Sequence, residues 1–197
     1  MAFQYKLRRQ SPQRTCKKVF DRYQSYKGYL KTDFNKRCGY CDITLLYKQF
    51  ASIEHFAPRR KFPHLASIYG NLIYACKMCN QSKSSDWPMN NENPSHDGQQ
   101  GYVDPCSLEY DSHLGRKSNG QIYGKTPVGE YMVIRLRLNL RDRIVEWQSD
   151  ILRDKALEIK EILNTLPPSH PNYEALNQYY EQMKNLLNYR QSKWKIL

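Results

Sequence analysis

Two pairs of cysteines constrain the fold of this 197-residue chain more than any other feature. Cys38 and Cys41 form one C-x-x-C pair, and Cys76 and Cys79 form the second, after 34 intervening residues. Each pair can supply two sulfur ligands from one tight turn, and tetrahedral zinc needs four ligands. Neither pair lies in a thioredoxin-like βαβ context, which argues against redox pairs. We therefore predict a closed structural zinc site made of four cysteines, which encloses a sizeable intervening segment.

The charge of the chain suggests a polyanionic partner. The formal net charge is +12, and residues 1–37 contribute +9 of it through 11 Lys/Arg and two Asp. Such a basic block favours nucleic acid binding, although a solvated basic face is the alternative. Apolar residues make up 40% of the chain, which is enough for a packed core. The sequence contains no run of 18 apolar residues, so we predict no membrane span. The first ten residues lack the apolar run of a secretory signal, so we expect a cytoplasmic protein.

Local patterns predict four regions. Ser11 as N-cap and Pro12 at the first helical position predict a helix over residues 11–31, within a basic N-terminal helical region 1–35. Residues 36–90 form a compact core with two short β-prone runs before Pro58, a strand near 71–74 and a short helix near 77–84. Residues 91–130 are predicted to form a loop and short strands, with a hairpin turn at Asn119-Gly120. Residues 131–197 are predicted to form two helices separated by PPSHP. The alternatives are a helical hairpin and a helix that packs against a partner.

Several chemically useful side chains accompany the cysteines. Glu54 and His55 are adjacent in the segment between the two pairs, and Asn71 lies near its end. Asn80 follows the last cysteine directly, and Lys83 lies three residues further, one helical turn away. A Glu-His pair alone is usually an exposed polar pair. Here the pair does not stand alone, because Asn71, Asn80 and Lys83 accompany it.

The segments CGYC, IEHFAPRRKF and GNLIYACKMCNQSK together resemble the HNH endonucleases. The resemblance implies an α+β fold with a ββα-metal (HNH) core, in which His55, Asn71 and Asn80 occupy the three positions of the motif. It also implies a four-cysteine zinc site. The local patterns add an N-terminal basic helix and a C-terminal helical hairpin to this predicted fold. The flanking words FPHL, SSDWP and YVDP look like the HNH nucleases of Septu-type and retron-associated anti-phage defence systems. Those proteins work beside an ABC-type ATPase, which implies such a partner, docked through the C-terminal helices.

The resemblance also implies a role for each residue. His55 is the general base, Glu54 and Asn80 are ligands of a catalytic Mg²⁺ or Mn²⁺, and Asn71 orients the base by tying its loop. The family more often has Asp at position 54, so the choice of metal stays open. Lys83 is expected to hold the scissile phosphate as a point charge. Three basic residues after the motif are expected to contact backbone phosphates, namely Arg59, Arg60 and Lys61.

The function expected from these residues is metal-dependent hydrolysis of DNA in anti-phage defence. The alternatives are a zinc-stabilised nucleic-acid-binding module without catalysis and an HNH nuclease that acts on RNA. A pure binding module would need the cysteines and the basic surface, but it would not need the Glu54-His55 and Asn80-x-x-Lys83 sets. That difference favours the enzyme.

Overall fold

The computed structural model describes residues 6–45 and 50–194, with side chains described as far as Arg190. The chain divides into two compact units, Met1–Ile144 and Val145–Leu197. The first unit contains all four cysteines of the C-x-x-C pairs and every residue that the sequence places in a catalytic site. The described part of the second unit contains only helix and the turn that interrupts it.

The centre of the first unit is an antiparallel hairpin followed at once by a helix. Strand β1 (Ala51–His55) pairs with strand β2 (Leu72–Cys76), with Ala51 opposite Cys76 and His55 opposite Leu72. Every residue of β2 is buried, as expected of a strand covered on both faces. Helix α2 (Lys77–Lys83) follows β2 without a linker, because the Cys76 sulfur accepts a hydrogen bond from the Cys79 amide and caps the helix. This is the ββα arrangement predicted for residues 36–90.

The first cysteine turn packs directly against β2. The Gly39 amide donates to the Tyr74 carbonyl at 2.9 Å, and the Asp42 amide closes the turn on the Cys38 carbonyl at 2.9 Å. A Cβ atom at position 39 would lie 2.7 Å from the Phe34 ring, so only glycine allows this close approach. The later of the two β-prone runs forms β1, whereas residues 46–49 of the earlier run lie outside the described residues.

The helix predicted over residues 11–31 is shorter than the pattern indicated. Helix α1 spans Lys27–Asp33 and follows a single 3₁₀ turn at Tyr23–Tyr26, while residues 10–20 are irregular. The amide and hydroxyl of Thr15 both bond the Asp33 carboxylate, at 2.6 and 2.7 Å, and Arg14 forms an ion pair with Asp104 at 2.8 Å. These contacts from outside the segment hold it non-helical despite its 3–4 spacing of apolar residues.

A small α/β layer completes the first unit. Helix α3 (Tyr110–His113) leads into the hairpin of strands β3 (Leu114–Arg116) and β4 (Ile122–Gly124), whose connection contains the predicted Asn119-Gly120 turn. Helix α4 (Pro127–Arg135) follows, with the Thr126 hydroxyl accepting from the Gly129 amide as its N-cap. Residues 87–104 are a loop, as their composition predicts.

The C-terminal unit consists of the greater part of helix α5 (Arg141–Thr165) and helix α6 (Tyr173–Trp194). The guanidinium of Arg190 donates to the Ser149 hydroxyl at 2.8 Å, so the end of α6 lies beside the start of α5, and the two helices form the predicted hairpin. After Ala156, none of the residues whose side chains are described in this unit is fully buried. Among the described residues, no helix combines the length and the apolar character needed to cross a membrane.

Candidate active site

The ββα core brings three of the predicted site residues together. Glu54 and His55 end β1, and Lys83 ends α2, 28 residues after His55. All three side chains are buried. The Lys83 ammonium donates to the Glu54 carboxylate at 2.8 Å and to the His55 backbone carbonyl at 3.2 Å. The end of α2 is therefore attached to the end of β1 that carries Glu54 and His55.

The His55 ring is fixed through one of its two nitrogens. Nε2 lies 3.0 Å from the carbonyl oxygen of Ala66, and the ring packs edge-on against Tyr23 with centroids 4.8 Å apart. A carbonyl oxygen only accepts, so in the neutral ring Nε2 carries the proton and Nδ1 holds the free lone pair. Burial lowers the pKa of His55 below its ordinary value, and the positive charges of Arg59 and Lys83 lower it further. The hydrogen bond to the Ala66 carbonyl opposes this shift in pKa. The neutral imidazole, with Nδ1 as a base, is therefore favoured near neutral pH.

Asn71 closes the loop that supplies the partner of His55. Its side-chain oxygen accepts from the Ala57 amide at 2.8 Å, and its nitrogen donates to the carbonyls of Ala57 and Leu65 at 3.0 and 3.2 Å. Leu65 precedes Ala66, whose carbonyl accepts from His55. Asn71 does not contact the His55 side chain by any of these bonds, so its contribution to the site comes through the loop.

The Glu54–Lys83 pair is almost completely withdrawn from water. The Lys83 side chain has no exposed surface and that of Glu54 is 5% exposed. The ammonium also lies 5.2 Å from the Tyr102 ring centroid and 5.8 Å from that of Trp87, within cation–π range. Burial raises the pKa of Glu54 and lowers that of Lys83, while the attraction between the two opposes both shifts. A phosphate could reach this ammonium only if the pair opened.

The donors predicted for a catalytic cation are a carboxylate and an amide oxygen. Glu54 offers the carboxylate and the half-buried Asn80 the amide, on the helical turn before Lys83. Oxygen donors of this kind suit Mg²⁺ or Mn²⁺. The Lys83 ammonium already occupies Oε1 of Glu54, so a bound cation would have to share this carboxylate with Lys83 or displace it. The donors fit a hard cation in kind, and this competition is a specific property of this chain.

The three basic residues after the motif differ in their surroundings. Arg59 is exposed, and its guanidinium lies 5.3 Å from the centroid of the Tyr23 ring, which itself packs on His55. Arg60 is exposed as well. The Lys61 ammonium donates to the Trp87 carbonyl at 2.6 Å, so its charge lies over the neighbouring loop. Arg59 is therefore the one of the three that shares a packing partner with His55.

The four cysteines converge as predicted. Their sulfur atoms all lie within 4.8 Å of one another, all four side chains are buried, and none forms a disulfide. Four sulfurs about 2.3 Å from a tetrahedral zinc ion lie about 3.8 Å apart, and the Cys41 and Cys76 sulfurs are 3.9 Å apart. Burial would raise the pKa of Cys38, but hydrogen bonds from the other three thiols lower it well below the ordinary value. The cluster has the ligands, spacing and closed environment of a structural zinc site.

Two buried arginines lie next to this cluster, and no pattern in the sequence predicts either. Arg116 donates to the Cys41 backbone carbonyl at 2.8 Å. Arg143 donates to the carbonyls of Leu136 and Arg137, and although burial would lower its pKa, the neighbouring cysteines raise it. A zinc ion with four thiolates carries a net charge of −2, so the two guanidinium groups offset it.

Other contributors to the site were also missed by sequence reasoning. Tyr23 precedes His55 by 32 residues, and Tyr102 follows the motif in a segment predicted as loop and short strands. The Ala66 carbonyl that orients His55 is a backbone group, which leaves no signature in a sequence. Trp87 and Tyr102 lie in segments that the sequence predicts as loop and short strands, and only the fold shows that their rings lie beside the Lys83 ammonium.

Comparisons with known proteins agree with this geometry. The model of the HNH endonuclease family matches residues 38–86. The Septu protein PtuB of Bacillus mycoides (strain KBAB4) is 28% identical in an alignment of 166 positions that covers 73% of this chain and 56% of that protein. The Septu protein PtuB of Bacillus thuringiensis is 28% identical over 130 residues, 66% of this chain and 46% of that protein. This chain thus spans about half the length of the curated relatives it matches, and no solved structure matches it.

The matched region contains both cysteine pairs, the hairpin and α2. It also contains Glu54, His55, Asn71, Asn80 and Lys83. Residues 38–86 of this chain are therefore an HNH endonuclease domain.

Proposed function

We propose that this protein is a metal-dependent endonuclease that hydrolyses DNA phosphodiester bonds in anti-phage defence. The observation that carries the proposal is the His55 ring, whose Nε2 is held by the Ala66 carbonyl so that Nδ1 is left as a base. The relatives named Septu protein PtuB support the defence context. The reduced cysteines require a reducing compartment, so we propose that the protein acts in the cytoplasm.

In this proposal each residue has one task. Nδ1 of His55 takes a proton from the attacking water, and burial keeps the ring neutral and ready to accept it. Glu54 and Asn80 would hold a divalent cation, which when bound neutralises charge on the phosphate and stabilises the leaving 3′ oxygen. Arg59 contacts a phosphate near the reacting bond, and Asn71 keeps the loop that orients His55. Lys83 acts by positioning Glu54 rather than by direct phosphate contact, which modifies the role expected from the sequence.

The test is cleavage of plasmid DNA by the full chain with Mg²⁺ or Mn²⁺, alone and with an ABC-type ATPase encoded beside it. His55→Ala should lower the cleavage rate at least ~100-fold, the contribution of a general base, and should keep its zinc and its cooperative unfolding transition. His64→Ala is the matched control, because His64 is exposed, and it should cut normally. Normal cutting by His55→Ala would refute the assignment of the base.

The same assay separates the alternative functions. A binding module without catalysis would shift DNA in a gel but would leave it intact with either cation. An RNA-directed enzyme would cut labelled RNA in preference to DNA of the same sequence. A folded, zinc-loaded protein that cuts neither polymer under any of these conditions would refute the enzymatic proposal.

We further propose that the C-terminal hairpin docks the ATPase partner. Tyr179, Leu186 and Tyr189 lie on one face of α6 and are 59%, 45% and 60% exposed. Leu157 and Ile162 of α5 are 54% and 46% exposed. Apolar side chains at this spacing, on helices without a buried core, are typical of a surface that another protein covers.

Point substitutions test this docking surface without disturbing the fold. Leu186→Asp should reduce co-purification of the ATPase at least ~10-fold, whereas Asn188→Asp, on the other side of the same helix, should not. A chain that ends after Pro168 should retain its cysteine-bound zinc and lose the partner. Unchanged co-purification with the truncated chain would exclude the C-terminal helices as the docking site.

A further inference from the structure

Three side chains outside the HNH domain converge on one point. His96, Glu109 and His113 each offer a ligand atom, and these atoms all lie within 4.8 Å of one another. We propose that they bind a second transition-metal ion, with Zn²⁺ as the best fit, at a site separate from both the cysteine cluster and the nuclease centre. Two imidazoles and one carboxylate are a ligand set of catalytic and accessory zinc sites.

The fold holds these residues close together. Glu109 is the N-cap residue of α3 and His113 is its last residue, so the two lie one turn apart on the same face of the helix. His96 arrives from the long loop, where an isolated β-bridge with Gly101 and a hydrogen bond from the Tyr102 amide to the Ser95 carbonyl at 3.0 Å fix its backbone. The rings of His96 and His113 meet edge to face with centroids 5.6 Å apart.

The Nδ1 atom of His113 is held by a neighbour. Its Nδ1 lies 2.7 Å from the Thr126 hydroxyl oxygen, which also accepts from the Gly129 amide at the start of α4. With Nδ1–H donated to Thr126, Nε2 is the nitrogen left with a lone pair. Metal-bound histidines are commonly held in this way, by a hydrogen bond from the nitrogen that does not coordinate.

His96 provides an independent observation. Its Nδ1 is buried and has no hydrogen-bond partner among the described residues. A buried polar atom without a partner costs about 1–3 kcal/mol. Coordination of a metal ion by this nitrogen would remove that cost. The unpartnered nitrogen thus points to a ligand that completes the cluster.

The ligand set also distinguishes this site from the nuclease centre. Imidazole nitrogen favours Zn²⁺ over Mg²⁺, which prefers oxygen. Glu109 is exposed, so water can complete the coordination and the ion can enter from solvent. A bound ion would join the loop that carries His96 to α3 and, through Thr126, to the start of α4. We therefore assign the site a clamping role on the loop between the HNH domain and α3.

Metal counting on the full chain tests the proposal. After equilibration with buffered free zinc, the unmodified protein should hold two zinc ions, whereas His96→Ala and His113→Ala should each hold one. His64→Ala is the control and should hold two, because the exposed His64 lies outside this cluster and pairs with Glu92 at 3.4 Å. Two ions retained by a His96→Ala/His113→Ala variant, or one ion in the unmodified protein, would overturn the proposal.

Cobalt substitution keeps the result interpretable if a variant folds poorly. Cobalt in the cysteine cluster gives a thiolate charge-transfer band, whereas cobalt bound by His and Glu gives ligand-field bands only. The histidine variants should keep the thiolate charge-transfer band and lose the ligand-field bands of the histidine site. If a histidine variant lacks the thiolate band, two variants of Thr126 are measured in its place. Thr126→Val should weaken the second site about 10- to 100-fold, and Thr126→Ser should restore it. Equal affinity in this pair would refute the role of Thr126.

Discussion

Lys83 combines a charge with complete burial, which makes its partner indispensable. Only Glu54, one backbone carbonyl and two aromatic rings surround its ammonium among the contacts described. Removing one member of a buried ion pair costs about 3–5 kcal/mol, because the other charge stays behind without compensation. The pair therefore couples the end of α2 to the end of β1 more strongly than an exposed pair would.

We predict that Lys83→Met lowers the free energy of unfolding by about 3–5 kcal/mol. The Glu54→Gln/Lys83→Met double variant should recover a large part of this loss, since it leaves no buried charge. Urea unfolding with zinc present measures both values. Lys77→Met is the control on the same helix, where the side chain is exposed and the change should stay within about 0.5 kcal/mol. A single variant as stable as the native protein would contradict the buried pair.

Asp86 gives a prediction that depends on pH. Burial would raise its pKa, but hydrogen bonds from Arg135, Tyr102 and Tyr131 lower the pKa to about 2. Because the folded pKa lies below the unfolded value, Asp86 stabilises the protein above about pH 4, and the contribution disappears as the pH falls toward 2. One fifth of its side chain is exposed, so we expect ~1–2 kcal/mol after screening.

Comparison of the native protein with Asp86→Asn tests this contribution. The difference in unfolding free energy should be constant from pH 7 to about pH 4 and should shrink below it. Zinc release in acid affects both proteins alike, so the difference reports Asp86. A difference that already closes between pH 7 and pH 5 would show that another group is responsible.

At the scale of elements, the loop of residues 56–71 determines how His55 is presented. Asn71 forms three hydrogen bonds to this loop, and the adjacent Ala66 carbonyl accepts from His55. The loop therefore acts as one rigid piece between β1 and β2. Its stability should decide how often the His55 ring leaves its hydrogen bond.

We predict that Asn71→Ala loosens this loop without unfolding the core. The Ala57 amide loses its acceptor, and an unpaired buried amide costs about 1–3 kcal/mol. Hydrogen exchange at Ala57 should therefore become at least ~10-fold faster. Asn90→Ala, in an exposed part of the next loop, should leave this amide unchanged. Unchanged exchange in Asn71→Ala would show that the side chain does not close the loop.

The elements differ in how far the sequence could predict them. Strands β1 and β2 and helix α2 lie within a few residues of their predicted positions, because short apolar runs bounded by Pro58 and the cysteines are local signals. The helix predicted over 11–31 was wrong in its first half, because Asp33 and Asp104 bind Thr15 and Arg14 instead. Residues far apart in sequence determine such contacts, and the same holds for the Glu54–Lys83 pair.

At the scale of the whole molecule, some basic side chains are held in ion pairs with little exposed surface, and others lie on the surface. Arg8, Arg14 and Arg37 form ion pairs with Asp111, Asp104 and Asp42, and the Arg8 and Arg37 side chains are only 3% and 11% exposed. These arginines stabilise the fold. The surface offered to nucleic acid is therefore smaller than the net charge of the first 37 residues suggests.

The cysteine cluster should support the entire first unit. We predict that Cys76→Ser weakens the thiolate-to-cobalt signal and abolishes the cooperative unfolding transition, because one of four thiolates is lost and structural zinc contributes folding free energy directly. Cys106→Ser should retain both, since Cys106 lies outside the cluster and is only half-buried. A Cys76→Ser protein that melts like the native one would show that the cluster is not structural.

The pairing of β1 with β2 has one further consequence. Cys76 faces Ala51 at one end of the hairpin and His55 faces Leu72 at the other, about 13 Å away along the strand. Neighbouring residues of a strand point to opposite sides, so a slip of one position would exchange the sides of Glu54 and His55. The zinc cluster, by anchoring Cys76, sets the parity of the hairpin. Oxidation of the thiols would remove this anchor, so it would disturb the placement of Glu54 and His55 without changing either side chain.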